Sequence, residues 1–281
     1  MDKAEVKLNF TADAAKCLRC GLCVKICPSR IVRAGSSGIP SVPEKLERFC
    51  LGCQQCMAVC PAGAISVFGR NPQELPKTLP AGERAPEKLL NIIQTRRSCR
   101  FYKHENISAE KMKKLKEMLA YVPTGCNSRG LHFCFADDVA AMDKIREKVS
   151  ENLKKLVKFV PPFNSFVAGY KKEILSGSDI VFWNAPHMAV ACVSKNAPCR
   201  KQDPFIALSY FELYANALGL GTLWCGIADG ALRLMPSVRK MLKIPAGHKI
   251  GYVMLFGEPA VKFPRAAQQE PYGISSAEIQ K

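Results

Sequence analysis

Eight of the fourteen cysteines fall between Cys17 and Cys60, and their spacing defines the chemistry open to them. Residues 17–28 read CLRCGLCVKICP and residues 50–61 read CLGCQQCMAVCP, so C-x-x-C-x-x-C-x-x-x-C-P occurs twice, 33 residues apart. When the backbone turns tightly, thiolates at this spacing reach different corners of one small cluster, so three in a row wrap three irons. The fourth ligand then comes from elsewhere. Pro28 and Pro61 suit such a loop, because proline ends the local turn and brings no N–H that needs a partner beside the cluster. A zinc ribbon on four of these cysteines is the alternative. The doubled four-cysteine spacing and the absence of a nearby histidine argue against it.

Over about residues 5–68 the segment resembles the two-cluster bacterial ferredoxins. In that family the last cysteine of each run serves the other cluster. The resemblance therefore implies two [4Fe-4S] clusters, one on Cys17, Cys20, Cys23 and Cys60, the other on Cys50, Cys53, Cys56 and Cys27.

The rest of the chain must position whatever these clusters feed. Its length of 281 residues suggests two domains with ample core. With 48% hydrophobic and 23% charged residues, the composition is that of a globular protein and not a disordered one. No apolar run is long enough to span a bilayer, and Met1–Asn9 lacks the apolar stretch of a secretory signal, so a cytoplasmic protein without a membrane span is expected. The 41 Lys and Arg against 24 Asp and Glu leave a formal charge of +17. Cluster loading lowers this by roughly four units. The remainder suits an acidic electron donor or an anionic substrate, and nucleic acid ranks last as a partner because no aromatics interleave the lysines.

The expected domains are 1–68, carrying the clusters, a proline-rich linker over 69–86, and 87–281. Pro72, Pro76, Pro80 and Pro86 make the linker semi-rigid. Beyond it, helical spacing of apolar residues predicts helices over 87–95 and 108–121, with Pro86 in the first turn of the former. Alternation predicts strands over 131–136, 189–194, 222–225 and 250–256. Asp203 and Pro204 open a long apolar helix to about Leu218, with Gly219 and Gly221 ending it.

Three constellations stand out in this region. Arg96-Arg97-Ser98-Cys99-Arg100 sets three cations and a hydroxyl at a helix end, a pattern able to clamp a phosphate. Cations also collect there for dipole reasons. Pro123-Thr124-Gly125-Cys126-Asn127-Ser128-Arg129 is a break rich in small and polar residues that can bring backbone donors against a flat ring, or simply connect two elements. The stretch from Ala217 to Gly226 carries small residues that permit close approach of backbone to a ligand at a strand end. It lacks the G-x-G-x-x-G of a dinucleotide fingerprint.

Taken in order, these features over about residues 88–270 resemble the FMN-dependent nitroreductase family: R-R-S-x-R, then the P-T-x-x-N loop, then A-L-G-L-G-T, then G-E-P with a basic tail. The whole chain is similar to ferredoxin–nitroreductase fusions of anaerobes. The resemblance implies an α+β architecture in which a small ferredoxin domain joins a nitroreductase-like sandwich with a mostly antiparallel central sheet, in an intertwined homodimer. It implies FMN held by Arg96, Arg97, Ser98 and Arg100, by Pro123, Thr124, Gly125 and Asn127 of the loop, by Cys225 and Gly226 near flavin N5, and by Lys262 and Arg265 of the tail.

Two positions depart from the family pattern. The loop asparagine is followed by Ser128-Arg129-Gly130-Leu131 where many relatives have x-Q-P-W, and Cys225 stands where many carry Glu. Cys99, Cys126, Cys134, Cys192, Cys199 and Cys225 show no ligand spacing and read as free thiols. His104, His132, His187 and His248 are scattered and read as packed or exposed histidines. Arg129, Trp224 and the 198–200 region are candidates for the acceptor side, and no catalytic residue is assigned.

The expected activity is an iron–sulfur flavoprotein oxidoreductase. A low-potential donor (ferredoxin, flavodoxin or reductase) loads the clusters, FMN converts single electrons to pairs, and a nitroaromatic, quinone or activated C=C accepts them. NAD(P)H is not required. An electron carrier without a small-molecule substrate is the competing expectation.

Overall fold

The cysteine duplication leaves the same imprint twice on the backbone. The computed structural model describes residues 7–159, 165–267, 269 and 272–277. The chain divides into two units, Met1–Arg84 with Cys126–Ser128, and Ala85–Gly125 with Arg129–Lys281.

The first unit contains β1 (Thr11–Ala12), α1 (Leu22–Ile26), β2 (Arg33–Ala34), β3 (Pro40–Ser41), α2 (Glu44–Glu47), α3 (Gln55–Ala58) and β4 (Ile65–Ser66). Arg19 and Gly52 share a left-handed backbone, φ 53° and 65°; so do Gly21 and Gln54, φ 71° and 58°, and Arg30 and Gly63, φ 52° and 58°. Each pair is 33 residues apart. The first two pairs curl each C-x-x-C-x-x-C run before α1 or α3 begins and the third follows the helix, and the Lys25 and Ala58 N–H groups close the matching first turns onto Gly21 and Gln54 at 3.1 and 3.0 Å. Antiparallel pairs β1–β4 and β2–β3 flank a small core of Leu8, Ile31, Val32, Met57, Ile65 and Val67. Short 3-10 turns at Pro72–Glu74 and Ala81–Glu83 follow.

The second unit runs α4 (Pro86–Thr95), α5 (Ala109–Met118), β5 (Leu131–Ala136), α6 (Val139–Lys158), α7 (Ser165–Ser176), β6 (His187–Ser194), α8 (Asp203–Ala217), β7 (Gly221–Trp224), α9 (Gly226–Leu234), α10 (Pro236–Met241) and β8 (His248–Gly257). The strands form one antiparallel sheet in the order β5-β6-β8-β7. His187 through Val193 of β6 are all buried, because helices cover both faces of the sheet. On one face Val190, Cys192, Val253 and Leu255 meet Met142 and Ile145 of α6 and Leu232 of α9. On the other, Ala189, Ala191, Met254 and Phe256 meet Leu208 and Phe211 of α8 and Leu115 of α5. Each large side chain buried in this way contributes about 1.5–3 kcal/mol. Mixed helices on an antiparallel sheet are the α+β class expected.

Three details differ from the periodicity reading. β6 begins at His187, since His187 and Met188 already pair with Phe256 and Leu255 of β8. Gly219, at φ 80°, ends α8, whereas Gly221 opens β7 where a Cβ would lie 2.6 Å from the Cys99 sulfur. α6 lies where no motif points, although Asp138 caps it by accepting the Ala140 and Ala141 N–H groups. No helix among the described residues is long and apolar enough to cross a membrane.

Candidate functional site

In the first unit the left-handed turns point the thiols inward in two sets. Cys17, Cys20, Cys23 and Cys60 line one cavity of about 100 Å³. Cys27, Cys50, Cys53 and Cys56 line another of about 30 Å³. Each set joins three cysteines of one repeat to the last cysteine of the other. Backbone N–H groups already point at sulfur: Gly52 donates to Cys50 Sγ at 3.4 Å and Ala64 to Cys60 Sγ at 3.2 Å. Burial pushes the Cys56 thiol up to about 11, and the charges of Cys50, Cys53 and Cys27 add to this. Burial raises Cys23 too, with Cys60 and Cys17 contributing. Four thiolates therefore repel in each cage unless a cationic core sits among them, which is what an iron–sulfur cluster provides. Among the described residues no three His, Cys, Asp or Glu side chains converge on a point as a single ion requires. Sulfur ligands to a cube with irons at separate corners stand further apart than that.

In the second unit the basic segment after α4 is stitched along the sheet edge. Ser98 bridges Thr222 of β7, and the Cys99 N–H donates to the Thr222 carbonyl at 2.8 Å. Tyr102 then bridges Pro259, and the Lys103 N–H reaches the Glu258 carbonyl at 2.9 Å. Thus Arg96–Arg100, the entry to β7 and the Gly257-Glu258-Pro259 tail share one edge. Arg96 ion-pairs with Glu212 of α8 at 3.2 Å. Arg97 donates through Nη1 to the Gln94 and Arg96 carbonyls, while its Nη2 is buried with no hydrogen-bond partner among the described residues. A guanidinium nitrogen in that state fits an anionic oxygen. Arg100 lies over the Trp183 ring, 5.5 Å from its centroid. Lys262 and Arg265 are exposed in the tail.

The loop Pro123–Arg129 is anchored separately. The Gly125 N–H donates to Asp203 Oδ1 at 2.9 Å, at the start of α8, and a Cβ on Gly125 would sit 2.4 Å from the Cys199 sulfur. Only glycine fits there. Thr124 Oγ1 accepts the Arg129 N–H at 3.0 Å, and the Arg129 guanidinium donates to the Ala120 carbonyl at 2.7 Å, tying this side chain back to the turn that precedes the loop. Cys126, Asn127 and Ser128 group with the first unit, and the Asn127 amide donates to the Leu51 carbonyl at 3.0 Å.

Cys225 is buried at the end of β7, with its thiol donating to the Val181 carbonyl at 3.1 Å. Burial raises its pKa, so it stays a neutral thiol. Gly226 faces the Tyr252 hydroxyl, which would lie 3.2 Å from a Cβ. Beside it Trp224 stacks on Phe205, with centroids 6.0 Å apart. Glu212 is the residue that motif reading missed: it accepts from Arg96, from Thr222 Oγ1 and from the Trp224 indole at 3.0 Å, joining α4, α8 and β7. Its signal was a lone acid within the apolar run of α8. His187 is a core histidine whose Nε2 accepts the Ile107 N–H at 3.1 Å. His104 pairs with Asp143, and His132 and His248 meet ring edge to ring. None of the fourteen cysteines is in a disulfide.

Residues 93–258 match the model of the nitroreductase family, and residues 11–65 match that of the 4Fe-4S dicluster domain. The first match spans more than half of the chain, so the chain belongs to the nitroreductase family, with an N-terminal dicluster ferredoxin domain. A protein of Archaeoglobus fulgidus provisionally named NADH dehydrogenase/NAD(P)H nitroreductase is 25% identical over 173 residues, which is 62% of this chain and 86% of that protein. A Methanothermobacter thermautotrophicus protein of the same provisional name is 27% identical over 173 residues, 61% of this chain and 78% of that protein. Among solved structures, an FMN-bound nitroreductase from Bacteroides fragilis aligns with TM-score 0.56 and 20% identity, covering 68% of this chain and 99% of its own. A second FMN-bound nitroreductase, from Desulfitobacterium hafniense, aligns with TM-score 0.53 and 22% identity, covering 66% of this chain and 98% of its own. These two likenesses establish the fold.

Proposed function

We propose that this protein is an iron–sulfur flavoprotein oxidoreductase that takes low-potential electrons through two [4Fe-4S] clusters and delivers them from FMN to a small organic acceptor. The observation that supports it most is the pair of thiol-lined cavities, each drawing three cysteines from one repeat and the fourth from the other. FMN, when bound, interconverts one-electron and two-electron transfer. The chain's own residues supply the rest.

Cys17, Cys20, Cys23 and Cys60 would hold one cluster, and Cys27, Cys50, Cys53 and Cys56 the other. The Gly52 and Ala64 N–H groups, aimed at sulfur, stabilise negative charge on the cages. Arg97, with Arg100, Lys262 and Arg265, would neutralise the flavin phosphate, and Ser98 would add a hydroxyl donor. Arg96 is turned toward Glu212 and orients the segment. Pro123, Thr124, Gly125 and Asn127 would pack near the ring, with Cys225 and Gly226 offering backbone. Because Cys225 stays protonated, it shapes the pocket without acting as a nucleophile. Nitroaromatics, quinones and activated C=C bonds fit a site that orients an acceptor and needs no protein nucleophile.

The provisional names of the two relatives favour a second reading of the input, in which NAD(P)H reduces the flavin directly. The dicluster domain supports a ferredoxin, flavodoxin or reductase as the donor instead. Assembly as a homodimer is supported by the exposed apolar face of α8, where Phe205, Ile206 and Tyr210 lie open to solvent. Anaerobic cofactor analysis tests the proposal: about eight irons, about eight sulfides and about one FMN per chain are expected. Zinc, or iron without flavin, would overturn it.

A further inference from the structure

The two cysteine cages of the first unit are duplicates in spacing but not in surface. The first cavity has Arg19 in its lining and its Cys20 is exposed; next to it Leu18 is 67% exposed. The second cavity has no charged side chain in its lining, and its four thiols are all partly covered. Residues 33 positions apart give the comparison directly: Lys16 matches Phe49, Arg19 matches Gly52, Leu22 matches Gln55, and Lys25 matches Ala58.

The backbone sharpens this contrast. Arg19 holds a left-handed φ of 53° at the position where the second repeat uses glycine, and Arg30 does the same opposite Gly63. Glycine adopts that conformation more freely than arginine, and the first repeat carries cations at these two positions where the second carries glycine. Lys16 is paired with Asp13 at 3.1 Å, whereas among the described residues Arg19, Lys25 and Arg30 have no carboxylate within 4.0 Å. Leu18, Leu22 and Ile26 are exposed among them.

Resting on the cluster assignment above, we propose that this face of the first repeat is the docking surface for a small acidic electron-carrier protein, and that the Cys17/Cys20/Cys23/Cys60 cage is the port where electrons enter. Arg19 beside the exposed Cys20, with Lys25 exposed on α1 and neither meeting a carboxylate among the described residues, suits a carboxylate-rich partner, and the exposed aliphatic side chains suit its apolar contact ring. The first repeat offers no aromatic ring for a base to stack on, which sets nucleic acid aside. The step is a one-electron transfer: the carrier's reduced cluster is oxidised and the cluster in the port is reduced, with no bond made or broken.

The test uses the anaerobically purified holoprotein and a reduced, acidic two-cluster bacterial ferredoxin as the probe, mixed by stopped flow with absorbance readout of cluster reduction. Arg19→Gly combined with Lys25→Glu should lower the second-order rate constant about tenfold or more at low salt, and the difference should vanish at high salt. Arg19→Gly takes the residue that the second repeat already uses, so the fold tolerates it. Arg48→Glu, which removes a cation lying over Phe49 beside the second cage, should change the rate by less than about twofold. Carbodiimide cross-linking should join Lys25 to the ferredoxin. Equal slowing by Arg48→Glu, or a rate insensitive to salt and to the double variant, overturns the port while iron content stays full. A chain that binds no iron overturns the cluster assignment itself.

Discussion

Glu212 carries more of the candidate flavin edge than any residue in the motifs beside it. Its carboxylate is nearly buried and accepts from Arg96, Thr222 and Trp224, so removing it takes the acceptor from the Thr222 hydroxyl and the Trp224 indole. Because Arg96 keeps 37% side-chain exposure and can turn to water, we expect Glu212→Ala to cost about 2 kcal/mol, below the value for a fully buried pair, and Glu212→Gln about 1 kcal/mol. Urea unfolding followed by circular dichroism reads both. His187 gives a pH signature. Burial holds its imidazole below the ordinary value of 6.5, outweighing the Ala136 carbonyl and the charges of Asp137 and Asp138, so the folded chain keeps it neutral. The unfolded chain binds that proton more readily. The contribution of His187 to stability is therefore full above about pH 6.5 and declines as pH falls below it. His187→Gln should flatten the fall in urea midpoint between neutral and mildly acidic pH; an unchanged slope would remove this role. The eight cysteines and the basic segment stand out as residues because their types and spacing are chemical, whereas the division of the cysteines into two sets comes from the resemblance to two-cluster ferredoxins. Glu212 does not stand out, and Asp203 reads only as the opening of α8, since their partners are dictated by packing that brings α8 against β7 and the Pro123 loop.

At the level of elements, the Pro123–Arg129 loop is fixed by one close approach. Gly125→Ala would drive a methyl to 2.4 Å from the sulfur and 2.7 Å from the Cβ of Cys199, and we expect a loss of about 2 kcal/mol, largely recovered by adding Cys199→Gly, which removes both atoms. Equal destabilisation in the single and double variants would show that the contact is not what holds the loop. The duplicated turns allow a second test. Gln54 occupies a left-handed position that its counterpart Gly21 fills without strain. Gln54→Gly should change stability by no more than about 1 kcal/mol, since relief of strain is offset by the greater freedom of glycine in the unfolded chain. Periodicity located β5, α8 and the start of α4 because each has a clean apolar pattern bounded by Pro, Gly or a capping residue. It did not separate the helix stop at Gly219 from the close approach at Gly221, because both require glycine and only the packing of Cys99 against β7 distinguishes them.

At the level of the molecule, α8 presents apolar side chains on both its buried and its exposed sides. Ala207, Leu208, Phe211 and Ala215 are buried against the sheet, while Phe205, Ile206, Tyr210 and Tyr214 are exposed, as are Leu89, Leu90 and Ile93 of α4. A helix of that kind is ordinarily covered on both sides. We expect sedimentation at twice the chain mass, and Ile206→Glu with Tyr210→Glu to yield a folded monomer that loses FMN; a wild-type monomer would contradict the assembly. The sheet class and the two-domain plan were legible in the motifs. The exposed face was not, because a period-3.6 reading cannot tell a helix buried on all sides from one awaiting a partner chain. The central claim is that electrons held on the cysteine cages reach the acceptor through flavin. The most direct measurement is anaerobic stopped-flow absorbance of fully reduced protein mixed with a nitroaromatic, following iron–sulfur and flavin bands together. Both should reoxidise, flavin first and clusters after it, at rates that rise with acceptor concentration. Clusters that stay reduced while the flavin turns over would contradict it.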